Sequence, residues 1–383
     1  MTVVFVTNSL NHHQQPVADE MFSIFGEGYR FVEIGELSAD RKQLGWETLQ
    51  RPSYLTHYDL SNRDNRIELR QLLFDATVVI IGAAPIKIVS QRLKAGKLTF
   101  RYSERLYKSQ SRYLKIPLYF VQGLVNRGLK ILCASAYAAM DYSITKSFSG
   151  QYYKWGYFPP LYEYPEGVHS HRRPILEVQQ QGVSILWVAR LITWKHPEYM
   201  IELAKFLSRR NYKYTISIIG VGPLESELRE SIAKNELEGK IELLGAMSPS
   251  RVRAYMEKSD VFLFTSDRHE GWGAVLNEAM NSGCAVVANG EIGSVPFLIK
   301  NGYSGLIFNN GDVQQMGELV SHLMEDLPTM RALGENAYRT ISKTWNAHTA
   351  VKNFILLVDS FLNGSPLTID SSEPCSVAEV LDK

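Results

Sequence analysis

The chain is poor in cysteine. Its three, Cys133, Cys284 and Cys375, are odd in number and far apart, which argues against both a zinc site and a disulfide framework. Two of them lie in apolar runs, KILCASAYAA and GCAVVAN, and read as small core residues. No apolar run approaches the roughly 20 residues of a spanning helix. The start, MTVVFVTNSLNHHQQ, has no basic n-region and no long apolar h-region. The expectation is a cytoplasmic protein. A P-loop is missing, and no G-x-G-x-x-G follows the first strand, which argues against a nucleotide hydrolase and an NAD enzyme. Nor is there a strong net charge: the formal value is +1, with a pI near 7.7. With no nucleic-acid-binding motif either, no nucleic-acid partner is expected.

What is present is length and rhythm. At 383 residues the chain exceeds the size at which one core stops growing, so two domains are expected. Short β-rich runs (TVVFVT, RFVEI, ATVVIIG, KLTFRY, GLKILCAS, YYKWGYFPP) alternate with helical stretches near 15–25, 63–74, 85–94 and 135–147. A second series runs through SILWVARL, YTISIIG, KIELLGAM, DVFLFTSD, CAVVAN and SGLIF. Such alternation builds parallel α/β sheets. The reading is two doubly wound, Rossmann-like domains facing a central crevice, one over 1–160 and one over 183–345, joined by a linker at 161–182. A C-terminal helix at 346–362 is expected to pack back toward the first domain, and the polar, turn-rich tail at 363–383 to be disordered.

HEGWGAVLNEAM, residues 269–280, carries two glutamates eight positions apart, Glu270 and Glu278, around a Gly-Trp-Gly triplet. Paired carboxylates suit acid/base work or recognition of hydroxyls, while glycines opening a helix let backbone amides approach an anion. A ligand with sugar hydroxyls and phosphate satisfies both. In ARLITWK, Arg190 and Lys195 straddle a strand end. Seen alone, such a pair reads as solvated surface cations, and a Glu before a helix as a dipole partner.

VARLITWKHPE, IIGVGPLESELR, HEGWGAVLNEAMNSGCAVVA and GEIGSVPFLIKNGYSGLIF, in that order over about 184–345, resemble the nucleotide-binding half of retaining glycosyltransferases of family 4, which have the GT-B fold. The resemblance implies that Arg190 and Lys195 contact the donor diphosphate, that Glu278 binds the ribose diol, and that Glu270 lies by the transferred sugar. Gly271, Gly273 and Ala274 open the helix toward the donor, with Trp272 as a wall of the sugar pocket. Gly222, with Gly220, shapes the loop beside the nucleotide, where Val221 stands at a commonly acidic position. Gly293 and Ser294 offer further amides, and Phe297 replaces the glutamate of the relatives' Gly-Gly-x-Pro-Glu. No DxD motif sits beside these positions, and the basic pair can neutralise a diphosphate, so neither metal nor cofactor is expected.

In the first domain, His12 and His13 follow strand one and are candidates for touching the acceptor or the donor sugar. Ser103, Glu104 and Arg105 stand where many relatives place a histidine. Residues 86–130 hold eleven Lys/Arg against one acid, Glu104. The stretch is therefore +10 and the remainder −9. With Phe100, Tyr102, Tyr107 and Tyr113 among these cations, it suits loose contact with anionic membrane, although a solvated basic face is the plainer alternative. The functional expectation is transfer of a sugar from a UDP- or GDP-sugar to a glycan or lipid-linked acceptor in surface polysaccharide or glycolipid assembly. A GT-B epimerase or phosphorylase, or a non-catalytic sugar-nucleotide binder, is the alternative.

Overall fold

The structure is a computed structural model that describes residues 1–35, 51–83, 86–106, 128–144 and 150–381. The chain divides into two compact units, Met1–Pro160 with Thr344–Lys383, and Leu161–Lys343. Each is built on one parallel sheet.

In the first unit the strands are β1 (Val3–Thr7), β2 (Tyr29–Glu33), β3 (Leu55–His57), β4 (Val78–Ile81), β5 (Thr99–Ser103), β6 (Lys130–Cys133) and β7 (Tyr152–Lys154). Their order across the sheet is β3-β2-β1-β4-β5-β6-β7. β1 pairs in parallel with β2 (Phe5 opposite Phe31) and with β4 (Phe5 opposite Ile80). Its run Val3–Val6 is buried on both faces, which is why it reads as continuous rather than alternating hydrophobicity. The short β3, two half-buried residues and one exposed, carries no such signal.

The second unit has β8 (Val183–Val188), β9 (Tyr214–Ile219), β10 (Ile241–Leu243), β11 (Val261–Phe264), β12 (Ala285–Asn289) and β13 (Leu306–Phe308), ordered β10-β9-β8-β11-β12-β13. Between them run amphipathic helices such as Tyr199–Arg209, which buries Met200, Ile201, Leu203, Ala204, Phe206 and Leu207 against the sheet. From β8 the chain winds outward to β9 and β10, then returns to place β11 on β8's other side. The winding direction therefore reverses between β8 and β11, and the loops leaving these two neighbouring strands lie side by side at the switch point, where doubly wound sheets bind ligands.

Two boundaries differ from the sequence reading. Residues 161–182 are not a free linker but part of the second unit. Arg172 is buried there and donates to the Met256 carbonyl at 3.0 Å, Arg173 pairs with the buried Asp260, and Ile175–Gln181 is helical. Thr344 and Trp345 fall in the first unit rather than the second. The helix Ala347–Leu362 packs in the first unit, Phe354 lying 5.3 Å from Phe100 between ring centroids.

The tail is also a correction. The tail expected to be disordered pairs with β7 through residues 375–378: Lys154 N–H donates to Ser376 O at 2.8 Å, and Cys375 N–H and Ala378 N–H donate to Lys154 O and Tyr152 O at 2.7 and 2.9 Å. Val377 bridges antiparallel to Tyr153. The polar composition hid this because backbone groups carry the pairing while Cys375 and Ala378 supply the buried contacts. An otherwise open sheet edge is thereby covered.

Candidate functional site

Two loops of the second unit meet at the switch point. The first leaves β8 through Arg190 and Leu191, makes a single 3-10 turn at Thr193–Lys195, and ends at His196 in the left-handed region, φ 54° and ψ 53°. The second leaves β11 through Thr265 and runs to Glu270. They are stitched by backbone and side chain: Asp267 N–H donates to Trp194 O at 3.1 Å, and Thr265 Oγ1 donates to Lys195 O at 2.7 Å. The outcome is a direct ion pair between Lys195 Nζ and the Glu270 carboxylate, both nearly buried. Lys195 Nζ also lies 4.4 Å from the centre of the Trp194 ring. A cation held by a carboxylate and an aromatic face needs no further partner to stay ordered.

The glycines around this pair have packing reasons to be glycine. Gly220 (φ +145°) and Gly222 bring the β9 loop onto the backbone of the β8 loop: a Cβ would come within 1.8 Å of Ala189 O at the first and 2.3 Å of Leu191 O at the second. Leu191 N–H donates to Val221 O at 3.0 Å, and Leu224 N–H donates back to Leu191 O at 3.1 Å. Gly220 and Gly222 thus shape the loop that presents Arg190, whose side chain is exposed. Gly273 (φ +81°) leaves no room for a Cβ, which would sit 2.2 Å from Phe264 Cζ.

Of the remaining expected donor residues, Gly271 is buried, and Gly273 and Ala274 are half-buried, just before the helix Val275–Asn281, in whose first turn Glu278 is half-buried. Trp272 is corrected: it is 1% exposed, its indole N–H donates to Asn277 Oδ1 at 2.8 Å, and its ring lies 6.3 Å from Phe297. It braces the turn instead of forming an open wall. Gly293 and Ser294 are buried ahead of the helix Val295–Leu298. Ser294 Oγ has no hydrogen-bond partner among the described residues, and neither has Glu291 Oε2 on the same turn. Glu291, Trp194, His196, Asp267 and His269 are site-loop residues that the motif reading passed over. Their signal was adjacency to Lys195, Glu270 and Ser294.

In the first unit, His12 and His13 lie just beyond β1 with ring centroids 3.7 Å apart. His13 is buried and its ring centre is 6.2 Å from that of Tyr157. The loop after β5 is tied to its own unit: Tyr142 OH donates to Ser103 Oγ at 2.9 Å, Tyr157 OH donates to Glu104 Oε1 at 3.0 Å, and Arg105 Nε is 3.6 Å from Asp141 Oδ2. The basic stretch is less of a surface than its composition suggests. Arg92 is fully buried, donating to the carbonyls of Ala76 and Leu98 at 2.9 and 2.8 Å, and Phe100 and Tyr102 are core residues. Lys94 is exposed. Tyr107, Lys108, Arg112 and Tyr113 lie outside the described residues.

Comparison with solved structures defines the class of fold. HepE of Anabaena, solved in complex with UDP, superposes with a TM-score of 0.68 at 14% identity, covering 93% of this chain and 99% of that one. A glycosyltransferase from Rickettsia africae gives 0.64 at 14% identity, covering 95% and 99%. The two parallel-sheet α/β units are those of the GT-B fold. Residues 171–340 match the family model described as glycosyl transferases group 1. Among curated proteins, the chain is 28% identical to the amylovoran biosynthesis glycosyltransferase AmsK of Erwinia amylovora over 47% of this chain and 45% of that one. It is 29% identical to the putative colanic acid biosynthesis glycosyltransferase WcaL of Salmonella typhimurium over 47% and 46%. The chain thus spans about half the length of these relatives.

Proposed function

We propose that the protein is a retaining glycosyltransferase of family 4 type that moves a sugar from a nucleoside diphosphate-sugar to an acceptor hydroxyl. The observation that carries this is the Lys195–Glu270 pair on adjoining loops at the switch point, inside the stretch that matches the group 1 model. Arg190 and Lys195 supply fixed positive charge where charge grows on a departing diphosphate. Glu278 accepts two hydrogen bonds from the ribose diol, and Glu270 orients both Lys195 and the sugar. In front-face attack the leaving phosphate takes the acceptor proton, so the protein's work is positioning and electrostatics. The donor base is uracil or guanine, and a complex of HepE with UDP-glucose favours uracil. The acceptor is a glycan or lipid-linked glycan, as the relatives' names for polysaccharide assembly suggest. His12, His13 and the Ser103–Arg105 loop are assigned to acceptor or sugar contact. The reaction needs neither metal nor cofactor, and a chelator should leave its rate unchanged.

Product analysis with donor alone and then with donor plus acceptor tests the assignment. Transfer of sugar to the acceptor with retained anomeric configuration supports it; a changed sugar nucleotide without acceptor indicates epimerisation, sugar 1-phosphate indicates phosphorolysis, and binding without product leaves a binder.

Peripheral membrane contact is a second element of the proposal. No helix among the described residues is long and apolar enough to cross a bilayer. Exposed Ile67 and Phe74, with Lys97 Nζ 4.8 Å from the Phe74 ring and Arg70 and Lys94 nearby, form a mixed cationic and apolar surface suited to anionic lipid. Sedimentation with vesicles should rise with anionic lipid, fall with salt and weaken when Lys94 and Lys97 are changed to Gln. Equal recovery from neutral and anionic vesicles would overturn it.

A further inference from the structure

The loops that carry Lys195 and Glu270 meet through one more side chain. His196 stands in the left-handed region, which few residues other than glycine adopt and in which His is enriched. Its ring is held on both sides. Nδ1 lies 2.8 Å from Glu198 Oε1, Nε2 lies 3.5 Å from Asp267 Oδ2, and the ring stacks on Tyr199 with centroids 4.8 Å apart. An imidazole with a carboxylate facing each nitrogen meets both only as the imidazolium, since the neutral ring has one donor. Asp267 is the far anchor: its Oδ1 accepts the His269 backbone N–H at 2.8 Å and lies 2.7 Å from His269 Nδ1. Glu270 follows directly, its N–H donating to Asp267 O at 3.0 Å.

We infer that His196, carrying a proton on each ring nitrogen, is a positioning residue that clasps the Lys195 loop to the Asp267–Glu270 loop and so sets the Lys195–Glu270 contact. The inference rests on the reading of those two residues as donor-site groups. Three groups face the imidazole: Glu198 and Tyr199 on its own segment and Asp267 from the facing loop. The Glu198 hydrogen bond is the largest influence raising its pKa, burial opposes it, and the charges of Glu198 and Asp267 add to the rise. As pH climbs past that raised value one nitrogen loses its proton, and one of the two carboxylates loses its donor.

The test uses the full chain, with UDP and GDP as probes. By NMR, the His196 imidazole should titrate above the ordinary histidine value, dropping in Glu198→Gln and by less in Asp267→Asn. By calorimetry, the nucleotide affinity of the wild type should exceed that of His196→Asn by on the order of tenfold at low pH, about what one hydrogen bond to a charged group is worth. The two should converge at high pH, because Asn tolerates the left-handed backbone but cannot carry the proton. Asp267→Asn should behave likewise, which guards against a misfolded His196 variant. Parallel pH profiles for wild type and His196→Asn, or an imidazole that does not respond to either carboxylate substitution, would overturn the clasp. If neither nucleotide binds the wild type, the donor-site reading fails, and the imidazole titration alone decides the clasp.

Discussion

Thr265 Oγ1 donates to the carbonyl of Lys195 at 2.7 Å while accepting the indole N–H of Trp187 at 2.8 Å. This fully buried hydroxyl links the end of β11 to the loop after β8, so a residue without a charge holds the backbone of the charged one. Thr265→Val keeps the shape and leaves an indole N–H and a carbonyl without partners. A loss of about 1–3 kcal/mol is expected. A denaturant titration measures it, and kinetics should show a lower kcat because the Lys195 backbone is no longer pinned.

Arg190 and Lys195 should matter more as the diphosphate leaves than when it is bound. Alanine at either position should lower kcat as well as raise the donor KM. A change confined to KM would show that they bind uniformly and do not favour the transition state.

Glu278→Gln should weaken nucleotide binding by on the order of 1–3 kcal/mol if the carboxylate grips the ribose diol through charge-assisted hydrogen bonds. Calorimetry with UDP reads this directly, and unchanged affinity removes Glu278 from the site.

Gly273→Ala meets two obstacles at once, a φ of +81° and a Cβ 2.2 Å from Phe264 Cζ on a buried ring. Overpacking of this kind costs roughly 1–3 kcal/mol, and the backbone penalty adds to it. A fall in Tm with loss of nucleotide binding is expected; a stable, fully binding variant would show that the turn relaxes freely.

His196 also gives stability a pH dependence. Its pKa is raised in the folded state, first by the Glu198 hydrogen bond. A raised pKa means that the folded state holds the proton more tightly, so the contribution is complete below the ordinary value of about 6.5. It is lost as pH rises through the folded value. Denaturation midpoints of wild type and His196→Asn should differ most on the acid side of that interval and draw together on the alkaline side. A gap that widened with rising pH would reverse the sign and refute the account.

Much of this protein was legible in its residues. The buried strands of both sheets, such as Val3–Thr7 and Val183–Val188, announce themselves as apolar runs because a parallel sheet covered on both faces needs no polar side. The Glu270 to Glu278 spacing and the Arg190–Lys195 segment could be read from the chain because each lies within a short, contiguous stretch. β3 was not visible, being too short and too exposed to show a period.

Tertiary structure alone decided the rest, since contacts between residues far apart in sequence leave no local trace. Lys195 and Glu270 are seventy-five positions apart, and only the crossover that sets β11 beside β8 makes them a pair. Trp272 could have faced a ligand or the core; its hydrogen bond to Asn277 placed it inside. The basic run suggested a uniform surface, yet Arg92 turned inward because the carbonyls of Ala76 and Leu98 met its guanidinium. The polar tail became ordered by pairing its backbone with β7, and a backbone hydrogen bond is written in no particular side chain.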